Sequence, residues 1–186
     1  MTQVTAYTNE GRYKCLEDLP IDSAELSLGY CGWERCYPGH RFGPNKRTHY
    51  ALHIITNGKG KLEKNGEVFH LTTGDAFLLC PEEEAWYEAD KKEPWAYAWI
   101  GLYGYKVKKV MQYAGFSKEK SIRSLKCTAL LKSYVDEILE VHRLTTEESM
   151  RRNGYLNLFL ATLIEDNEKF NTKTMPEHTY PGTVYV

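Results

Sequence analysis

The chain has 186 residues, 42% hydrophobic and 26% charged, with 24 Lys plus Arg against 25 Asp plus Glu for a formal net charge of −1. That balance suits one soluble domain with a helical appendage and argues against a large nucleic-acid surface held by this chain alone, which needs clustered positive charge. No apolar run approaches the roughly 18 residues of a membrane helix, no signal peptide is recognised, and the scattered Cys15, Cys31, Cys36, Cys80 and Cys127 predict free thiols in a reducing cytoplasm.

Residues 1–24 carry no strong period and are expected as an N-terminal arm. From Glu25 the pattern is strand and turn. Glu25 to Trp33 alternates, with Leu26, Leu28 and Tyr30 on one side, and His49 to Thr56 is a second run. Asn57-Gly58-Lys59-Gly60 is a turn, and Asn65-Gly66 is a hairpin signal between Lys61–Lys64 and Glu67–Leu71. Gly74-Asp75 precedes a strand over Ala76–Cys80, which Pro81 closes. Trp86–Ala89 and Trp95–Leu102 follow. Short strands at close spacing predict an antiparallel barrel or sandwich over 25–103.

After Gly104 the period becomes helical. Val107, Val110, Met111 and Ala114 form one stripe, with Gly115 as a stop, and Leu131, Tyr134, Val135, Ile138 and Leu139 form a second. Thr145-Thr146-Glu147-Glu148 reads as a capping box. It opens a third helix with a stripe of Leu156, Phe159, Leu160, Leu163 and Ile164. The helical segment is placed at 104–170. The tail over 171–186, with Pro176, Pro181 and Gly182, reads as a linker.

Trp95-Ala96-Tyr97-Ala98-Trp99 puts three rings on one strand face. Such a ladder fills a core or lines a pocket for a flat ligand, where stacking is worth on the order of 1–3 kcal/mol per ring. Tyr87 and Tyr97 offer hydroxyls to a polyol, and Arg41 offers a forked donor to vicinal hydroxyls or a carboxylate. His49 and His53, four apart, share a strand face as metal ligands, ligand contacts or structural residues. Cys31, Cys36 and His40 lack zinc-site spacing. Glu82-Glu83-Glu84 reads as a solvated loop, and Lys106, Lys108, Lys109 and Arg151-Arg152 as solvent faces. No phosphate loop, Gly-x-Ser-x-Gly or His-Glu-x-x-His motif occurs.

The stretches Arg47–Leu62, Asn65–Pro81, Tyr87–Asp90 and Pro94–Gly101 together resemble the N-terminal sensor domain of AraC/XylS-type transcription regulators. Cys31–Pro44 is similar to a branch associated with sugar and oligosaccharide operons. The resemblance implies a mainly β fold with added helices: a cupin-like, jelly-roll antiparallel β-barrel that binds an effector, then a C-terminal helical dimerisation segment. In a sugar-binding member of that family the ligand is held by an arginine ahead of the first hairpin, a tyrosine after the Gly-Asp strand and two ladder residues. By position these fall on Arg41, Tyr87, Tyr97 and Trp99, with Trp95 on the same face and Tyr97 in place of a histidine. Metal-dependent cupins place Glu and His where this chain has Ala51 and Ala85, which turns His49 and His53 inward as pocket linings and leaves no metal set. The family continues into two helix-turn-helix units, so this chain is expected to be a sensor and dimerisation fragment without cofactor or enzymatic activity. Its expected partners are a mono- or oligosaccharide effector, a second copy through Leu156, Leu160 and Leu163, and DNA only through the missing domain. The competing readings are a stand-alone non-metal cupin serving as an interaction module, and a metal-dependent cupin enzyme.

Overall fold

The computed structural model describes residues 6–171. The linker expected over 171–186 lies, apart from its first residue, outside the described residues. In chain order the strands are β1 (Ala6–Asn9), β2 (Tyr13–Glu17), β3 (Ser27–Arg35), β4 (Arg41–Lys46), β5 (Tyr50–Asn57), β6 (Lys59–Lys64), β7 (Glu67–Thr72), β8 (Asp75–Leu79), β9 (Glu84–Ala89), β10 (Ala96–Tyr103) and β11 (Ile122–Ser124). The helices are α1 (Val107–Tyr113), α2 (Thr128–Glu140) and α3 (Thr146–Asn171).

The strands form two antiparallel sheets. One has seven strands in the order β1-β2-β3-β10-β5-β8-β11, the other four in the order β4-β9-β6-β7. The sheets face each other as the expected cupin-like barrel. Asn65 and Gly66 both take positive φ, 55° and 81°, the conformation that a two-residue hairpin between twisted strands requires. The first 24 residues contribute more than an arm: β1 and β2 form a hairpin that extends the large sheet through β3.

The large sheet is covered on both faces. Along β10, Tyr97 and Trp99 point between the sheets, while Ala98, Ile100 and Leu102 join the core under the helices. Along β5, Ala51 and Ile55 point inward, and Leu52 and Ile54 outward. Period-two alternation with both faces buried gives these strands their nearly unbroken apolar runs.

The helices cover the outer face of the large sheet, and α2 packs on β3, β5 and β10. Leu156, Leu160 and Leu163, expected on a dimer seam, are only 3%, 4% and 0% exposed in the single chain. They belong to the core shared by α3, α2 and the sheet. Their stripe is the period of a helix lying on its own sheet, which periodicity cannot distinguish from a seam between chains. The side chains that α3 turns outward are others, Met150 and Leu158 among them.

Three polar expectations also change. Glu148 accepts from the backbone N–H of Arg143 at 2.6 Å and from its Nε at 2.6 Å, so the box at Thr145 is closed from further upstream. Arg152 is buried and donates to the carbonyls of Val141 and Arg143 at 2.6 and 2.7 Å, tying down the chain between α2 and α3. Glu83 is buried between the exposed Glu82 and Glu84. The spacing of Cys31 and Cys36 sends them to opposite faces of the sheet, Cys31 under the helices and Cys36 between the sheets.

Candidate functional site

Between the sheets, on the side where β4 and the β1–β2 hairpin leave the barrel open, lies a cavity of about 1160 Å³. Trp99, Tyr97, Tyr87 and His53 wall its inner part. Tyr30, His49, Tyr103 and Arg47 continue outward, and Tyr37, Phe42 and Ile21 ring the mouth with exposed apolar surface.

The aromatic ladder therefore divides. Tyr97 and Trp99, whose rings lie 5.6 Å apart at 55°, face the cavity. Trp95 does not. It is almost fully buried, 6.3 Å from the Phe77 ring, and its indole lies across Gly60, where an added Cβ would sit 2.4 Å from Trp95 Cε3. Glycine performs the same service for the cavity rings. A Cβ at Gly32 would meet the Trp99 indole at 2.5 Å, and one at Gly101 would meet the Tyr30 ring at 2.0 Å. Each of these glycines is the direct cross-strand partner of the ring it supports, Gly32 of Trp99 and Gly101 of Tyr30. A missing side chain leaves the space into which the ring lies down. Because the atoms nearest to a Cβ at Gly101 all belong to the half-buried Tyr30 ring, Gly101→Ala is expected to tip that ring into the cavity without breaking the strand. The cost to stability should be about 1–3 kcal/mol, the usual range for overpacking. The His49 imidazole resonances in an NMR spectrum should move as the Tyr30 bond is lost, and unchanged resonances would place Tyr30 elsewhere.

The polar groups form two short relays. Tyr30 Oη lies 2.7 Å from His49 Nε2, and Tyr87 Oη 3.3 Å from His53 Nε2. His53 stacks on Phe77 at 4.5 Å and 3°, and His49 on Tyr103 at 4.5 Å. Burial first, and the nearby Arg47 guanidinium second, push His53 well below the usual imidazole range and His49 below it as well. Beside them on the same large sheet, Tyr97 donates to Glu34 at 3.0 Å, and His40 lies 3.5 Å from the same carboxylate. Burial pushes the Tyr97 and Tyr87 phenols up, so both remain protonated donors.

Of the expected ligand residues, His49, His53, Tyr87, Tyr97 and Trp99 gather round the cavity, while Trp95 and Arg41 do not. Arg41 is exposed on the outer face of the small sheet, 3.9 Å above the Trp86 ring, because Phe42 takes the inward position and stacks on Tyr87 at 5.3 Å. The guanidinium beside the histidines belongs to Arg47. It sits in the connection between β4 and β5, where strand alternation does not set which way a side chain faces. Ala51 and Ala85 are buried in the interior, and among the described residues no group of three or more His, Cys, Asp or Glu is placed to hold a metal. Nor is any described helix long and apolar enough to cross a membrane.

The hairpin of β1 and β2 links the mouth to the helices. Tyr13 and Glu17 line the cavity from β2. From the same hairpin, Lys14 pairs with Glu140 of α2 at 2.5 Å, and Tyr7 stacks on His142 at 4.2 Å and 4°.

A family model described as "AraC-like ligand binding domain" matches residues 27–153. The Msm operon regulatory protein of Streptococcus mutans is 33% identical over 150 residues, which cover 80% of this chain and 54% of that protein. The lactose operon transcription activator of Staphylococcus xylosus is 35% identical over 89 residues, covering 48% of this chain and 31% of that one. The raffinose operon transcriptional regulatory protein RafR of Pediococcus pentosaceus is 37% identical over 94 residues, covering 50% and 33%. The chain spans about half the length of the first of these relatives and about a third of the other two.

Proposed function

Because this chain belongs to the AraC-like ligand-binding-domain family, we propose that it senses a sugar-like effector for a transcription regulator of a carbohydrate operon. The observation that carries the reading is the cavity itself: the ring of Trp99 lies beside hydroxyls, imidazoles and a carboxylate in about 1160 Å³. A sugar presents an apolar ring face and a rim of hydroxyls, and these two kinds of wall complement the two kinds of surface. Trp99 stacks on the ring, while His49, His53, Tyr87 and Tyr97 bond hydroxyls. The relatives' names, which speak of lactose and raffinose operons, point to the same ligand class.

In this proposal the signal leaves through the hairpin of β1 and β2, since it touches both the cavity mouth and α2. An effector that binds one hairpin arrangement better than another shifts the balance by typically about 1–3 kcal/mol. DNA is contacted by a helix-turn-helix domain of the longer parent protein, acting in the cytoplasm, where the free thiols remain reduced. A homodimer forms through the outer face of α3, around Met150 and Leu158.

Trp99→Ala is expected to weaken saccharide affinity roughly 5- to 150-fold, the equivalent of one lost stacking platform. Calorimetric titration against a panel of mono-, di- and trisaccharides measures it. Unchanged affinity in the variant would remove Trp99 from the site, and a panel without any binder to the native chain would favour an interaction module.

A further inference from the structure

The polar groups around Arg47 are unevenly supplied. An arginine side chain only donates hydrogen bonds and keeps its charge. Its guanidinium lies 5.3 Å from the Phe42 ring in the cavity wall that Tyr30 and Tyr87 also line. The Tyr30 and Tyr87 hydroxyls lie 2.7 and 3.3 Å from Nε2 of His49 and of His53. Burial disfavours the charged form of both imidazoles, so neither adds a positive charge beside Arg47.

Among the described residues no carboxylate lies in ion-pair distance of Arg47. The half-buried carboxylate of the cavity, Glu34, is already engaged by Tyr97 and His40. Glu10, Glu17 and Asp18 are exposed at the mouth on or beside the β1–β2 hairpin. Arg12, the guanidinium that the β1–β2 hairpin brings to the cavity, is spent on the carbonyls of Arg35 and Cys36, at 3.1 Å each. Arg47 is thus a half-buried cation with no carboxylate in ion-pair distance among the described residues and with N–H donors to place. A ligand that closes over it removes water from it, and a charged acceptor of forked shape compensates that removal more fully than a pair of neutral hydroxyls does.

We infer that the effector carries an anionic group, a carboxylate or a phosphate, which seats on Arg47 while the rest of the ligand stacks on Trp99. The inference deepens the sensor reading above and rests on it. Lys46, next in the chain and also lining the cavity, adds a second positive charge at the same end. The preference is set by Arg47, which is half-buried in the cavity wall beside Phe42, whereas Lys46 is exposed.

The test compares matched ligands on the chain as it stands: neutral mono- and disaccharides, the corresponding uronates, and the corresponding 6-phosphates. Acetate and inorganic phosphate serve as controls for the charge alone. Affinity is read by tryptophan fluorescence and calorimetry for the native chain, Arg47→Gln and Arg47→Lys. At least one anionic series is expected to bind tenfold or more tightly than its neutral counterpart, and which series does so tells carboxylate from phosphate. The preference should vanish in Arg47→Gln, fall in Arg47→Lys, and weaken with added salt. Neutral saccharides that bind the native chain as tightly as their anionic counterparts would overturn the inference and leave the sensor reading standing. So would a preference that survives in Arg47→Gln. Failure of every series with the native chain would overturn both.

Discussion

Leu160→Lys is expected to destabilise the fold rather than to divide a dimer. Leu160 is 4% exposed inside the core that α3 shares with α2 and the large sheet. Removing the leucine side chain alone costs about 2–5 kcal/mol in a core. An ammonium placed there without a partner adds the cost of burying a charge, unless the helix lifts off the sheet. Domains have only about 5–15 kcal/mol of stability in all. A loss of about 4 kcal/mol or more, at roughly 2–4 °C per kcal/mol for a chain of this size, lowers the melting temperature by roughly 10 °C or more. Circular dichroism on heating measures it. The contrasting variant is Leu158→Lys, at a side chain 50% exposed. It should leave the melting temperature nearly unchanged and lower the mass seen in light scattering, as the proposed outer-face contact requires. A Leu160→Lys chain that stays folded with an unaltered melting curve but becomes monomeric would return the seam to Leu156, Leu160 and Leu163.

That prediction shows where sequence reasoning stops. The alternation of β5 and β10 and the Asn65-Gly66 turn were legible because each is written locally, in period and in backbone preference. The inward facing of His53 was legible for the same reason; for His49 and Arg47, in the connection before β5, alternation sets no facing, and the family pattern does not single out Arg47. Arg47 was passed over because position in the family pattern pointed to Arg41, and the register shift between Phe42 and Asn45 changes which β4 residues face inward. β4 itself was hidden. Its six residues are all exposed, and Gly43-Pro44 within it reads as a turn, although an edge strand tolerates proline. β1 and β2 were hidden because a four-residue and a five-residue strand carry too few alternations to stand out from an irregular arm. The glycines beneath Trp99 and Tyr30 were visible as strand glycines, but what each supports depends on cross-strand register, which one sequence does not give.

Burial of single charges is the least legible of all, and Lys64 with Glu83 yields the second large effect. Lys64 ends β6, and Glu83 sits in the turn between β8 and β9, within an acidic run that reads as solvated. In the fold their side chains are 4% and 1% exposed and 2.9 Å apart. Lys64 also donates to the carbonyl of Lys118 at 3.1 Å, and Glu83 accepts the backbone N–H of Cys80 at 3.1 Å. The pair thereby fastens the turn that launches β9, the strand carrying Tyr87, to β6 and to the loop after α1. Breaking a buried pair from one side strands the other charge, at a typical cost of about 3–5 kcal/mol, while replacing both partners by apolar groups is often close to neutral. Lys64→Met is accordingly expected to lose about 3–5 kcal/mol in urea denaturation, and Lys64→Met with Glu83→Leu to regain most of it. The coupling between the two substitutions should be at least about 2 kcal/mol, well above the roughly 0.3–0.5 kcal/mol scatter of independent sites. Losses that simply add would mean that the two charges are held by other groups, and that the turn before β9 owes its position to Cys80 and its neighbours instead.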